Sequence, residues 1–229
     1  MNEIRVKGFQ EISFWREDSI GIIVIKTDSH GMMSMRALEE TLTPLTTAVT
    51  DQEVTSIVIT GQNNHFCNGI NLGESKTEQF LNSCIALTNL IHSLGKPVVS
   101  ILNGSAKDFG YEIALITDFI ISSDENKVGF HRDYLPVLGS SISGHQFQNL
   151  AIRGVEESTN VDKVFPRENL LGEAHDFLLN APLGHLMYKR NLRLSELGRA
   201  IDFEHLRLLR RSNTDAGKTE TLNVNGKGE

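Results

Sequence analysis

The chain has only two cysteines in 229 residues, Cys67 and Cys84, too few for the disulfide framework of a secreted scaffold. It also lacks any apolar run approaching the length of a membrane-spanning helix. Its first residues, MNEIRVKGFQEISF, contain no signal-peptide hydrophobic core. These absences make cytoplasmic the default expectation, with no membrane partner. An excess of basic charge is missing too: 22 Lys and Arg stand against 29 Asp and Glu, a formal net charge of −7. Phosphate backbones need concentrated positive charge, so no nucleic-acid partner is expected. The 8 histidines show no HExxH or comparable ligand spacing, so no metal site is expected.

What is present belongs to a soluble α/β protein, 39% hydrophobic and 22% charged, with enough residues for one core and a peripheral extension. Ile12–Trp15 and Ile20–Ile25 read as strands joined at Asp18-Ser19, the second nearly continuous in Ile and Val, as in a strand covered on both faces. Ser34 is placed to cap a helix carrying Leu38, Leu42 and Leu45. Val54–Thr60 is the next strand. Thr77–Leu94 is amphipathic, with Phe80, Leu81, Cys84, Leu87, Leu90 and Ile91 on one broad face. Phe119–Ser122, Lys127–Phe130 and Val161–Phe165 complete the strands, and Pro166 suits a first helical position. Residues 1–165 form the expected core, 166–211 a helical region, and 212–229, polar and glycine-containing, a disordered tail.

Two stretches organise the rest. Lys96–Asp118, KPVVSILNGSAKDFGYEIALITD, runs as a buried strand over the apolar Val98–Leu102, a turn at Asn103-Gly104, and a helix through Tyr111, Ile113, Ala114 and Leu115. Ser56–Glu74, SIVITGQNNHFCNGINLGE, repeats the pattern of strand, glycine and polar loop, with a helix expected after Gly69. A strand that breaks at glycine and re-enters as a helix leaves unpaired N–H groups, suited to an oxygen that gains negative charge.

Together, ITGQNNHFCNGINL and KPVVSILNGSAKDFGYEIALITDFIISSDENKVGF resemble the crotonase (enoyl-CoA hydratase/isomerase) superfamily over about Ser19 to Arg193. Its pattern pairs a Thr-Gly strand end and a Phe-x-x-Gly-x-Asp loop with a Lys-Pro strand, Asn-Gly-x-Ala-x-Gly-Gly-Gly and a Thr-Asp step. The resemblance implies a spiral of ββα units, an acyl-CoA thioester as substrate with coenzyme A part of it, no separate cofactor, and a homotrimer or hexamer. It implies an enolate held by the N–H groups of Ile70 and Phe109, in loops that include Asn68, Gly69 and Gly104, and an acid/base role for Glu112. The family's three-glycine run is here Asp108-Phe109-Gly110, and phenylalanine resists positive φ and adds bulk where a thioester approaches.

The second catalytic glutamate of the hydratases falls on Arg132, which is no general base. Asp133 and His131 are the neighbouring candidates for that role. Gly144 precedes Val161 by a shorter segment than is usual in the family, which affects the acyl pocket and subunit contacts. Cys67 beside His65, and Ser105, have no orienting partners for nucleophilic chemistry. The basic run Lys189, Arg190, Arg193, Arg199, Arg207, Arg210 and Arg211 is read as a solvated face or, by resemblance, a contact for CoA phosphates. The surplus of Leu183, Leu186, Met187, Leu192, Leu194, Leu197 and Leu206 suggests self-association. The leading reading is an acyl-CoA enzyme of the hydratase/isomerase type. The alternative is a non-catalytic relative acting in assembly or CoA-ester binding.

Overall fold

The computed structural model describes residues 8–62, 64–138, 151–182, 184–187 and 191. β1 (Ile12–Glu17) and β2 (Ile20–Ile25) form an antiparallel hairpin, Ile12 opposite Ile25 and Glu17 opposite Ile20. The two-residue connection is made by Asp18 in the left-handed region, φ 50°, where Asp is tolerated better than most residues. β4 (Ser56–Gly61), β6 (Val98–Leu102), β8 (Phe119–Ser123) and β11 (Lys163–Phe165) join in parallel, giving the order β1-β2-β4-β6-β8-β11.

Short strands follow the long ones: β3 (Met32–Ser34), β5 (Gly69–Asn71), β7 (Ala106–Lys107) and β9 (Lys127–Gly129). Three of these lead into helices, α1 (Met35–Thr50), α2 (Thr77–Ser93) and α3 (Phe109–Leu115). The chain thus repeats a ββα unit, as the resemblance implies. β3 pairs with β5, and β7 with β9, which also pairs with β10 (Arg153–Gly154).

Every residue of β4 is buried, because both sheet faces are covered. Ile57 and Ile59 enter a core shared with α1 and α2 through Leu38, Leu45, Leu87 and Ile91. Val58 lies on the other face with Val99, Ile101, Phe119 and Ile121, against Leu170, Ala174 and Leu178 of α4 (Leu170–Asn180). Burying each such aliphatic side chain contributes about 1.5–3 kcal/mol. α1 begins where the sequence places it: the Ser34 hydroxyl accepts the Ala37 N–H at 3.0 Å. At its far end Lys96 Nζ donates to the carbonyls of Ala48 (2.9 Å) and Asp51 (2.5 Å), the right charge for a helix C-terminus.

The helix expected directly after Gly69 is a strand instead. Met32, Met33 and Ser34 pair there with Gly69, Ile70 and Asn71, and α2 starts only at Thr77. Pro166 precedes a 3-10 turn, Arg167–Asn169, rather than opening α4 itself. Gly139–Gly144, Leu183, the basic run from Lys189, Leu192, Leu194, Leu197, Leu206 and the 212–229 tail lie outside the described residues.

Candidate active site

The two organising loops meet backbone to backbone. Lys107 N–H donates to the Cys67 carbonyl at 3.0 Å, and Cys67 bridges to Ala106. Asn103 joins β6 to β4 through both ends of its amide: Gly61 N–H donates to its Oδ1 at 3.1 Å, and its Nδ2 donates to the Gly61 carbonyl at 2.7 Å. The approach is so close that side chains are excluded. A Cβ on Gly104 would come within 2.8 Å of the Asn64 carbonyl carbon and of His65 Cα, and one on Gly110 within 2.6 Å of Cys67 backbone and side chain. As a result α3 packs against β5, and the segments carrying Ile70 and Phe109 lie side by side.

Ile70 is half-buried, opposite Met33 in β5, so its N–H belongs to a strand and no helix dipole backs it. Gly69 before it takes φ 150°. Asn68 donates through Nδ2 to the His30 carbonyl at 3.1 Å and through its backbone N–H to the Gly31 carbonyl at 2.8 Å.

Phe109 departs from expectation. It is the first residue of α3 and does not take positive φ. Its ring is fully buried, 5.4 Å from that of Phe80. The bulk is absorbed by the core, and the unusual backbone falls one residue earlier, on Asp108 at φ 48°, ψ −123°. α3 is only seven residues long, so its dipole is modest.

Glu112 is fully buried in α3. Its Oε2 accepts the Tyr134 hydroxyl at 2.6 Å and its Oε1 the Leu138 N–H at 2.7 Å. Burial pushes the carboxyl above its ordinary value. The Tyr134 hydroxyl and the Val137 and Leu138 N–H groups oppose that rise, and the charge of Asp108 adds to it. Burial, with the bond to Glu112, also pushes the Tyr134 phenol well up, so it stays a hydrogen donor.

The partner of Glu112 is therefore Tyr134, which the sequence reading missed. Its available signal was aromatic spacing: the Tyr134 ring stacks 5.4 Å from Phe130, which meets Tyr111 edge-on at 5.3 Å. Asp133 and Arg132 are exposed, and no bond joins either to Glu112. His131 binds Asp108 instead, with its Nδ1 2.7 Å from Oδ2. Cys67 is buried, its thiol donating to the Gly69 carbonyl at 3.1 Å and pushed up to about 11 by burial. That makes it a poor nucleophile. Ser105 Oγ accepts the Lys127 N–H at 3.1 Å.

The repeated ββα units, and two glycine loops meeting beside a buried glutamate, define a crotonase-fold protein. Solved structures agree. An enoyl-CoA hydratase from Mycobacterium avium superposes with a TM-score of 0.69 at 18% identity, over 89% of this chain and 95% of that one. The enoyl-CoA hydratase subunit I from Geobacillus kaustophilus gives 0.66 at 20%, over 93% and 91%. A sequence model for enoyl-CoA hydratase/isomerase matches residues 16–135, just over half of the chain, and the chain belongs to that family.

Among curated relatives, an enoyl-CoA hydratase of Alternaria alternata is 27% identical over 122 residues, 49% of this chain and 40% of that protein. The peroxisomal bifunctional enzyme of Danio rerio is 31% identical over 91 residues, 40% of this chain and 13% of that protein. The matched region thus spans less than half the length of either relative.

Proposed function

We propose that this chain binds an acyl-CoA thioester and moves a proton at a carbon next to its carbonyl, through an enolate. The thioester oxygen is received by the N–H groups of Ile70 and Phe109, a preorganised pair that needs no reorganisation as charge develops. Glu112, three residues beyond Phe109 and so on the same side of α3, is the acid/base group. The observation that carries this reading is the buried carboxyl with its raised pKa. Such a group holds a proton closer to neutral pH than an exposed glutamate and returns it readily, as general acid–base catalysis requires. Tyr134, a fixed donor on Oε2, orients the carboxyl.

One observation favours a second reading, a CoA-ester binder without turnover: both Glu112 oxygens are occupied and the side chain is wholly shielded. The two readings separate in one experiment. Acyl-CoA esters are incubated with the protein in deuterium oxide, and α-carbon deuterium is followed by mass spectrometry. Turnover predicts uptake, and Glu112→Gln lowers it by at least about 100-fold, the low end for acid–base catalysis. Binding by calorimetry without uptake supports the binder. Uptake at the parent rate in Glu112→Gln refutes the role of Glu112.

A further inference from the structure

Phe109 enters the site twice. Its N–H is one of the two donors assigned to the thioester oxygen, and only Cα and Cβ separate that nitrogen from its ring. The ring is fully buried, and its centroid lies 5.4 Å from that of Phe80 with the planes inclined at 60°, a favourable tilted pair. Phe80 stands in the first turn of α2, its N–H on the Lys76 carbonyl at 3.1 Å. Glycine at 109 would offer the same N–H and leave the space of the ring empty.

One turn further along each helix the enclosure continues. Residues three or four apart share a helix face, which sets Cys84 beyond Phe80 on α2 and Glu112 beyond Phe109 on α3. These two are neighbours: burial, and then the charge of Glu112, push the Cys84 thiol up to about 12. On the other side Tyr134 and Leu138 hold the Glu112 oxygens at 2.6 and 2.7 Å. On the acyl-CoA reading, an acyl group with its oxygen on the Phe109 N–H and its α-carbon at Glu112 lies between α2 and the 134–138 segment. Phe80, Cys84, Phe109 and Leu138 are each at most 6% exposed. Interiors are close-packed, so every extra methylene there must displace a side chain. The groups around Glu112 are held by hydrogen bonds, and the two phenyl rings are the apolar bulk that a longer chain would meet.

We propose that the paired rings of Phe80 and Phe109 form the end wall of the acyl site and restrict the substrate to short acyl-CoA thioesters such as butyryl-CoA, against medium chains such as octanoyl-CoA. This rests on the acyl-CoA reading above and deepens it by naming the acyl class. The selection is steric. A methylene moved from water into an open apolar pocket strengthens binding about fourfold. A methylene pressed into a filled core weakens it instead. The wall therefore turns the usual gain with chain length into a loss.

Calorimetry on the full chain with butyryl-CoA and octanoyl-CoA reads the wall as a ratio of two Kd values. The parent should bind octanoyl-CoA no tighter than butyryl-CoA. Phe80→Leu and Phe109→Leu keep an apolar residue and the 109 N–H, and each should shift the ratio toward octanoyl-CoA by at least about fourfold, the worth of one methylene. Phe80→Ala should melt lower than the parent and be raised by octanoyl-CoA more than by butyryl-CoA, because a ligand that fills the cavity stabilises the folded state. Phe14→Leu, in the same core but on β1, should lower melting and leave the ratio unchanged. A parent that gains about fourfold with each added methylene overturns the wall alone, as do Phe80 and Phe109 variants that lose stability at the parent ratio. A parent and variants that bind neither ester overturn the acyl-CoA reading and the wall with it.

Discussion

Replacing Gly110 with alanine tests whether the two loops are held together by backbone contact. The added Cβ would sit within 2.6 Å of the Cys67 carbonyl carbon and Cβ, and closer still to the carbonyl oxygen. The obstacle is backbone in an interlocked position: Cys67 also receives the Lys107 N–H and bridges to Ala106. No rotamer change relieves such a clash, so the loops must separate. Overpacking of this kind costs about 1–3 kcal/mol. In a chain of this length each kcal/mol lowers Tm by about 2–4 °C, so the expected loss is roughly 2–12 °C. Gly172→Ala is the internal control. It lies in α4, a Cβ there meets nothing within 4 Å, and alanine is the better helix former by roughly 0.5–1 kcal/mol. Thermal melts followed by circular dichroism compare the two. Gly110→Ala melting at the parent temperature would refute the claim of backbone contact, and with it the side-by-side placement of Ile70 and Phe109.

Two further outcomes follow from buried titratable groups. Because the folded Glu112 pKa is raised above the reference 4.5, its contribution to stability is fully present below that value and is lost as pH rises through the folded pKa. Glu112→Gln should therefore gain Tm relative to the parent as pH rises from the reference 4.5 through the raised folded pKa, and a pH-independent difference would count against the raised pKa. Cys67 and Cys84 are buried and pushed up by burial to about 11 and about 12, so neither should react with a disulfide reagent at neutral pH until denaturant is added. Rapid labelling of the native protein would contradict this.

The long strands were legible in the sequence because each is an apolar run bounded by turn residues. Ile20–Ile25 and Val98–Leu102 agree with the structure to the residue. The short strands β3, β5, β7 and β9 were not all legible. Two or three residues carry no detectable alternation, and they exist because one loop pairs with the next, as Met33 does with Ile70. That explains the misplaced helix after Gly69, where tertiary pairing overrode a local glycine signal.

In the site, Glu112 was legible from its place after Asn-Gly and the altered glycine run. The consequence of that alteration was not. Phenylalanine drew attention as the odd residue, yet its ring found room beside Phe80, whereas Asp108 took the glycine-like backbone. Sequence shows which residue replaces a glycine, but which glycine of a run bears positive φ depends on hydrogen bonds from elsewhere, here Gly129 and His131. Tyr134 was missed for the same reason. Chemical type along the chain points to a second carboxylate, while the fold presents the group whose ring stacks on Phe130. Packing therefore decides which side chain reaches Glu112. The charged residues nearest the expected position, Arg132 and Asp133, are exposed, with no partner among the described residues to offset desolvation.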